Sequence, residues 1–198
     1  KTAILGVGYG MGAHKFQMTL KTGSPSVDVS DTVAQTIVAQ YRGMYPNIPM
    51  LWSSMKDSLF QMLNPRGVGL KYGPLTIERQ ALGLPNGMHL KYPGLYYSAG
   101  NFMYKTDRSV IRTHGPRVTE NVVQALSRLV ITDQMLDIQT LPQVDIVLQV
   151  HDEIIAIGSE HNADATMDRI IQIMRTPPEW CSDLPLDAEG GVSKVYDK

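Results

Sequence analysis

The stretch VDIVLQVHDEIIAIG, residues 144–158, leaves the chain little conformational choice. Two short, mostly apolar runs, 144–150 and 154–158, have the composition of strands, and only His151, Asp152 and Glu153 separate them. Three polar residues give no room for a solvated loop, so the runs are expected to fold back as a tight hairpin with two carboxylates at the sheet edge. Asp and Glu are common turn residues, and that alone would account for them. Held on a rigid turn and pointed into a cleft, they would also be a platform for a divalent cation.

A second constraint is the opening, KTAILGVGYGMG, with glycine at positions 6, 8, 10 and 12. A phosphate-cradling loop and a helix with a bare face both use glycine for close backbone approach. Lys1, Leu5 and Tyr9 follow at i, i+4 steps, and Phe16 and Leu20 extend the apolar pattern, so a helix is expected over 1–20, stopped by TGSPS at 22–26. A second helix is expected over 28–45, capped by Ser30 or Asp31, and a third where Leu51, Met55, Leu59 and Met62 recur at helical spacing. From Asn64 to Tyr104 the chain is rich in Gly, Pro and Tyr, with Asn86-Gly87 the clearest hairpin turn. A long helix over 117–136, the hairpin, a helix over 160–175 and an extended tail from Leu186 complete an α/β (α+β) pattern.

Composition excludes some classes. The chain is 43% hydrophobic and 19% charged, an ordinary globular balance, and no apolar run approaches the ~18 residues of a membrane span. With no signal-peptide pattern in residues 1–30, a cytoplasmic protein without a membrane partner is expected. Cys181 stands alone, so there is no internal disulfide, and no Cys/His cluster has zinc spacing; a structural free thiol is expected. The net charge of −1 averages opposite regions: residues 56–128 hold ten Lys/Arg against four Asp/Glu, a net of +6, and residues 129–198 hold four against thirteen, a net of −9. A basic middle suits a polyanion, and an acidic end suits metal or solubility.

Three of these segments together resemble a known family. Lys1, Leu5, Gly6, Tyr9 and Gly10 look like the finger-helix motif of the family A DNA polymerases, the bacterial DNA polymerase I type: Lys, three residues, an aromatic or leucine, Gly, two residues, Tyr-Gly. VLQVHDEII is similar to the family's third palm motif, and RTHGPRVTENVVQALSRLVI resembles the palm helix of its bacteriophage members. Weaker similarities to the phage branch lie in YRGMYPNIPMLW, LPNGMHLKYP and PLDAEGGVSKVY, so the likeness covers nearly the whole chain with its motifs in order.

The resemblance implies part of a right-hand polymerase: a fingers portion over 1–105, with the nucleotide-binding helix, two further helices and a hairpin insertion, and a C-terminal palm portion over 106–198. It implies template-directed DNA synthesis, in which dNTPs are joined to the 3′-hydroxyl of primer-template DNA with two Mg²⁺ ions. Lys1 would meet the triphosphate; Leu5 and Tyr9 would floor the nascent base pair; Gly6 and Gly10 would permit close approach. Asp152 would ligate metal with Glu153 assisting, His151 would contact the primer end, and Arg117, Asn121, Gln124 and Gln149 would contact DNA. The chain departs from the pattern at Pro116 and Arg117, where phage relatives carry Gly and Lys, and at Leu5, where an aromatic is commoner. The family's other metal-binding aspartate precedes the finger helix, and no such motif lies within 1–198. The chain, which begins with Lys, is therefore expected to be a fragment of a longer polymerase or one subunit of a split one, needing the missing N-terminal half; if phage-encoded, it would act in the host cytoplasm.

Three other readings stand beside this one. Gly8, Gly10 and Ala13 satisfy a permissive dinucleotide-binding pattern with Asp28 as the ribose acid, the mark of an NAD(P)-binding oxidoreductase, although Asp28 follows a Gly-Ser-Pro-Ser break. Single-subunit RNA polymerases resemble the same two motifs but typically carry Ser after His-Asp, where this chain has Glu153. The third is a non-catalytic, polymerase-like subunit that binds nucleic acid.

Overall fold

A computed structural model describes residues 3–196; Lys1 lies outside the described residues. The fold is mixed helix and antiparallel sheet, the coarse α+β class expected. It divides into two compact units, the first ending at Val123 and the second beginning at Gln124.

The first unit opens differently from expectation. A single π-helical turn, Ala3–Val7, gives way to a reversal, and a regular helix begins only at α1 (Ala13–Lys21). The Gly6 carbonyl accepts from the amides of Tyr9 (3.3 Å) and Met11 (3.0 Å), and Gly10 sits at φ +86°, where L side chains are strained. The continuous helix over 1–20 is thus broken, because glycine combines poor helix propensity with the one backbone region this reversal needs. Gly10 also comes close to the start of a later helix: a Cβ there would lie 2.6 Å from that of Pro116. The residues leading into the glycines are helical, whereas a dinucleotide-binding loop follows a strand.

Helix α2 (Asp31–Met44) starts where Ser30 Oγ accepts from the Val33 amide, a normal N-cap. Val7, Phe16, Ala34 and Val38 form a small core between the opening turn, α1 and α2. Helix α3 (Asn47–Leu63) buries Met55, Leu59 and Met62, three of the four residues whose spacing marks its apolar face; Leu51 stays exposed. Two antiparallel sheets follow. The first runs in order β1 (Lys71–Tyr72), β2 (Leu75–Glu78), β3 (Ala81–Gly83) and β4 (His89–Lys91); the second runs β5 (Tyr96–Ser98), β6 (Asn101–Lys105) and β7 (Val110–Thr113). Asn86-Gly87 does turn β3 into β4: Gly87 has φ +81°, and Asn86 Oδ1 accepts from the Met88 amide at 3.1 Å. Leu75, Ile77 and Leu82 on β2 and β3 are buried, and β2 packs on α3.

Helix α4 (Gly115–Gln139) crosses the boundary between the units. It begins with Gly115-Pro116, proline being well suited to a first turn that has no amide partner to lose. In the second unit α4 buries Leu129, Ile131 and Ile138, and the Gln134 amide donates to the Met174 carbonyl (2.8 Å) at the end of α5 (Ala163–Arg175). Strands β8 (Val144–Val150) and β9 (Glu153–Gly158) form the expected hairpin, with an irregularity between Ile146 and Leu148. The runs are less buried than their composition suggests. Val144 is buried, whereas Val147, Leu148 and Ile157 are exposed, because a two-stranded sheet in this unit covers only part of its apolar surface. Among the described residues no helix is long and apolar enough to cross a membrane.

Candidate functional site

The pairing Val150↔Glu153 leaves a two-residue turn made of His151 and Asp152. His151 takes φ +54°, the left-handed conformation that tight hairpin turns require at their first central residue. The Asp152 side chain stands exposed at the tip, and Glu153 is half-buried where β9 begins. Two adjacent residues thus present hard oxygen donors at one end of a short, hydrogen-bonded hairpin.

That turn is braced by side chains. The Gln149 amide of β8 donates to the His151 carbonyl, and Arg128 on α4 donates through Nη1 to Gln149 Oε1. Gln149, expected to contact DNA, therefore links the helix to the turn. Arg128 was not legible as a site residue except in one respect: Arg117, Asn121, Gln124 and Arg128 lie at successive i+4, i+3 and i+4 steps, one stripe along α4. Arg117 and Gln124 are exposed on it and Asn121 is half-buried.

Asn121, expected to contact DNA, has a partner within the protein that its helical position did not reveal. Its Nδ2 donates to the hydroxyl of Tyr92 at 3.2 Å. Tyr92 is 2% exposed, and burial raises its pKa, with the Asn121 hydrogen bond opposing the shift and Tyr104 adding to it. At the N-terminal end of the same helix, His114 is pushed below the ordinary histidine value, first by burial and then by the guanidinium groups of Arg112 and Arg117. The guanidinium groups of Arg112 and Arg117 beside His114 make this end of the helix locally positive, which suits a negative ligand.

Leu5, Gly6, Tyr9 and Gly10 belong to the first unit, and Gln149, His151, Asp152 and Glu153 to the second. Leu5 is 52% exposed on the π-helical turn and Tyr9 half-buried in the reversal that follows. Their expected i, i+4 alignment on one continuous helix is not what the backbone shows, for the glycine reason given above. Among the described residues no group of three or more His, Cys, Asp or Glu side chains converges as a metal-binding set. Cys181 is a half-buried free thiol, its Sγ donating to Asp183 Oδ1 at 3.7 Å.

Comparison with known proteins points to one class, the DNA polymerases. Over its whole length the chain is similar to a DNA polymerase of Bacillus phage SP02, 26% identical over 219 residues. It spans 32% of that protein's length, about a third. No family model matches the chain, and no solved structure matches it.

Proposed function

We propose that this chain is the portion of a phage-type, family A DNA polymerase that carries the later fingers and the C-terminal palm, working in template-directed nucleotidyl transfer. The observation that carries the reading is the exposed His151-Asp152 turn with Glu153 beside it, braced by Gln149 and Arg128, in a chain similar end to end to a DNA polymerase. Asp152 and Glu153 carry oxygen donors of the kind that Mg²⁺ takes and would hold it; because two carboxylates are fewer than its preferred ligand number, further oxygen donors would have to come from outside this chain. When bound, paired Mg²⁺ stabilises the charge that develops as a primer 3′-hydroxyl attacks the α-phosphate of a dNTP.

The chain's own residues supply the positioning. Lys1 offers a compact cation to the triphosphate. Leu5 and Tyr9 offer apolar and aromatic surface to the nascent base pair, and Gly6, beside Met11, and Gly10, beside Pro116, form the reversal that carries them. Arg117, Asn121 and Gln124 line one stripe of α4 for primer-template DNA, with His151 at the primer end. The second aspartate and the remainder of the right-hand fold come from the rest of the polymerase, as the same chain or a separate subunit.

Arg128 acts in this scheme as a positioning residue through Gln149. Arg128→Ala in the complete enzyme is expected to slow single-turnover incorporation about tenfold, the scale of one charge-assisted hydrogen bond, with little change in nucleotide Kd. Arg128→Lys should recover part of the rate, and a rate equal to the parent's in both variants would remove the brace from the mechanism. The function as a whole is tested by primer extension on templates of defined sequence. Expected is incorporation of the complementary deoxynucleotide at each step, with ribonucleotides poorly used; products independent of template, or a preference for ribonucleotides, would overturn the reading.

A further inference from the structure

The sheet β5–β6–β7 has two faces of opposite character. In register across it, Tyr97, Phe102 and Thr113 form one row. That row turns inward at its centre and far end, where Phe102 is 3% and Thr113 1% exposed; Phe60 of α3 meets Phe102 edge-on at 4.6 Å and Tyr97 at a tilt at 5.1 Å, and Tyr97, on the edge strand, stays 47% exposed. By the same register Tyr96, Met103 and Arg112 form the neighbouring row on the other face, with Lys105 opposite Val110 one pleat further along. This second face is open. Tyr96 and Val110 are 40% and 49% exposed, Arg112 and Lys105 are exposed, and Met103 is partly so.

The charges on the open face are uncommitted. Among the described residues neither the Arg112 guanidinium nor the Lys105 ammonium has an ion pair or a hydrogen bond. The three strands carry no Asp or Glu, and the turn joining β6 to β7 contributes one acid, Asp107, beside Arg108. The whole sheet lies within the stretch 56–128, whose net charge is +6. A tyrosine ring, a thioether and a planar guanidinium in one row, flanked by a second cation, match a strand whose bases are unpaired: bases stack on the ring and the guanidinium while phosphates meet the cations. Duplex DNA hides its base faces and could use only the cations, and an acidic peptide would leave the ring idle.

We propose that the open face of β5–β6–β7 is a docking platform for single-stranded DNA, the unpaired template strand that enters or leaves the polymerase. The choice of DNA, and of a template, rests on the function proposed above; affinity for an unpaired polynucleotide does not.

The test is fluorescence anisotropy of a labelled oligo(dT) with the complete protein, across a salt series. Tyr96→Ala should weaken binding about tenfold while Tyr96→Phe, which keeps the ring, binds like the parent. The double variant Lys105→Gln/Arg112→Gln should flatten the slope of log affinity against log salt by about 1.4, two released counterions on a single strand. A blunt duplex should be insensitive to Tyr96→Ala. Affinity and slope unchanged in both variants would overturn the proposal, as would a loss in Tyr96→Ala that Tyr96→Phe shares. Asp152→Asn separates the two readings, since it should abolish extension and bind oligo(dT) like the parent. Lack of extension by the parent with the Tyr96 and charge effects intact would sink the polymerase reading alone; normal extension with those effects absent would sink the platform alone.

Discussion

Asp152→Asn in the complete polymerase is expected to lower the rate of nucleotide incorporation by about three orders of magnitude or more, while leaving affinity for primer-template DNA close to that of the parent. The carboxamide keeps the size of the side chain and its place at the tip of the two-residue turn, so the hairpin pairing Val150↔Glu153 and the Gln149–His151 contact have no reason to change. What would be lost, on the function proposed, is the negative charge that would hold a divalent cation against the reacting phosphate. DNA affinity is expected to survive because Arg117, Asn121 and Gln124, three of the groups assigned to it, lie on α4, and the other two, Gln149 and His151, are untouched by the change. A variant rate within a few fold of the parent's would remove Asp152 from metal binding.

The largest expected effect on stability comes from a residue with no part in the chemistry. A Cβ built on Gly115 would lie 1.9 Å from the Trp52 carbonyl oxygen and 3.2 Å from the Lys56 amide nitrogen, so the first residue of α4 rests directly on the backbone of α3. No rotamer relieves a clash with backbone atoms. Gly115→Ala must push the two helices apart, at a cost of about 3 kcal/mol or more. In a chain of this size that corresponds to a fall of about 6–12 °C in Tm. Gly43 provides the matched control: it lies in α2, and a methyl group added there would meet nothing within 4 Å, so Gly43→Ala should raise stability by about 0.5–1 kcal/mol through helix propensity. The same chemical change is thus expected to have opposite signs at the two positions, read by thermal unfolding. Equal shifts would contradict the packing of α4 on α3.

What could be read from the sequence was set by the length over which a pattern repeats. Helices α2, α3, α4 and α5 are each at least 13 residues long, enough for apolar spacing of 3.6 to show, and they fall close to where that spacing places them. The β8–β9 hairpin was legible for a different reason, since two apolar runs with three polar residues between them have few other ways to fold. The seven strands between Lys71 and Thr113 are two to five residues long, too short for period-two alternation, and only the Asn86-Gly87 turn announced itself.

The opening segment misled because i, i+4 spacing of Lys1, Leu5 and Tyr9 says which residues would share a helix face, not whether four glycines let the helix persist. Site residues followed the same division. The His151-Asp152 turn with Glu153 beside it is a local feature, visible in nine residues. The engagement of Asn121 by Tyr92, and of Gln149 by Arg128, joins side chains 29 and 21 residues apart, and nothing in local composition specifies such pairs. Only the stripe of α4 that already held Arg117, Asn121 and Gln124 pointed to Arg128.

The most direct test uses the protein from its native source, tagged at the C-terminus of the natural polypeptide that contains these residues, so that whatever belongs with this chain, joined to it or not, is purified with it. That material would be given primer-template DNA, Mg²⁺ and the four deoxynucleotides, beside the same preparation carrying Asp152→Asn. Extension that follows the template and disappears in the variant is the expected result. DNA bound equally by both with no extension from either would contradict it, and would mean that this chain serves a nucleic-acid-binding relative without the chemistry.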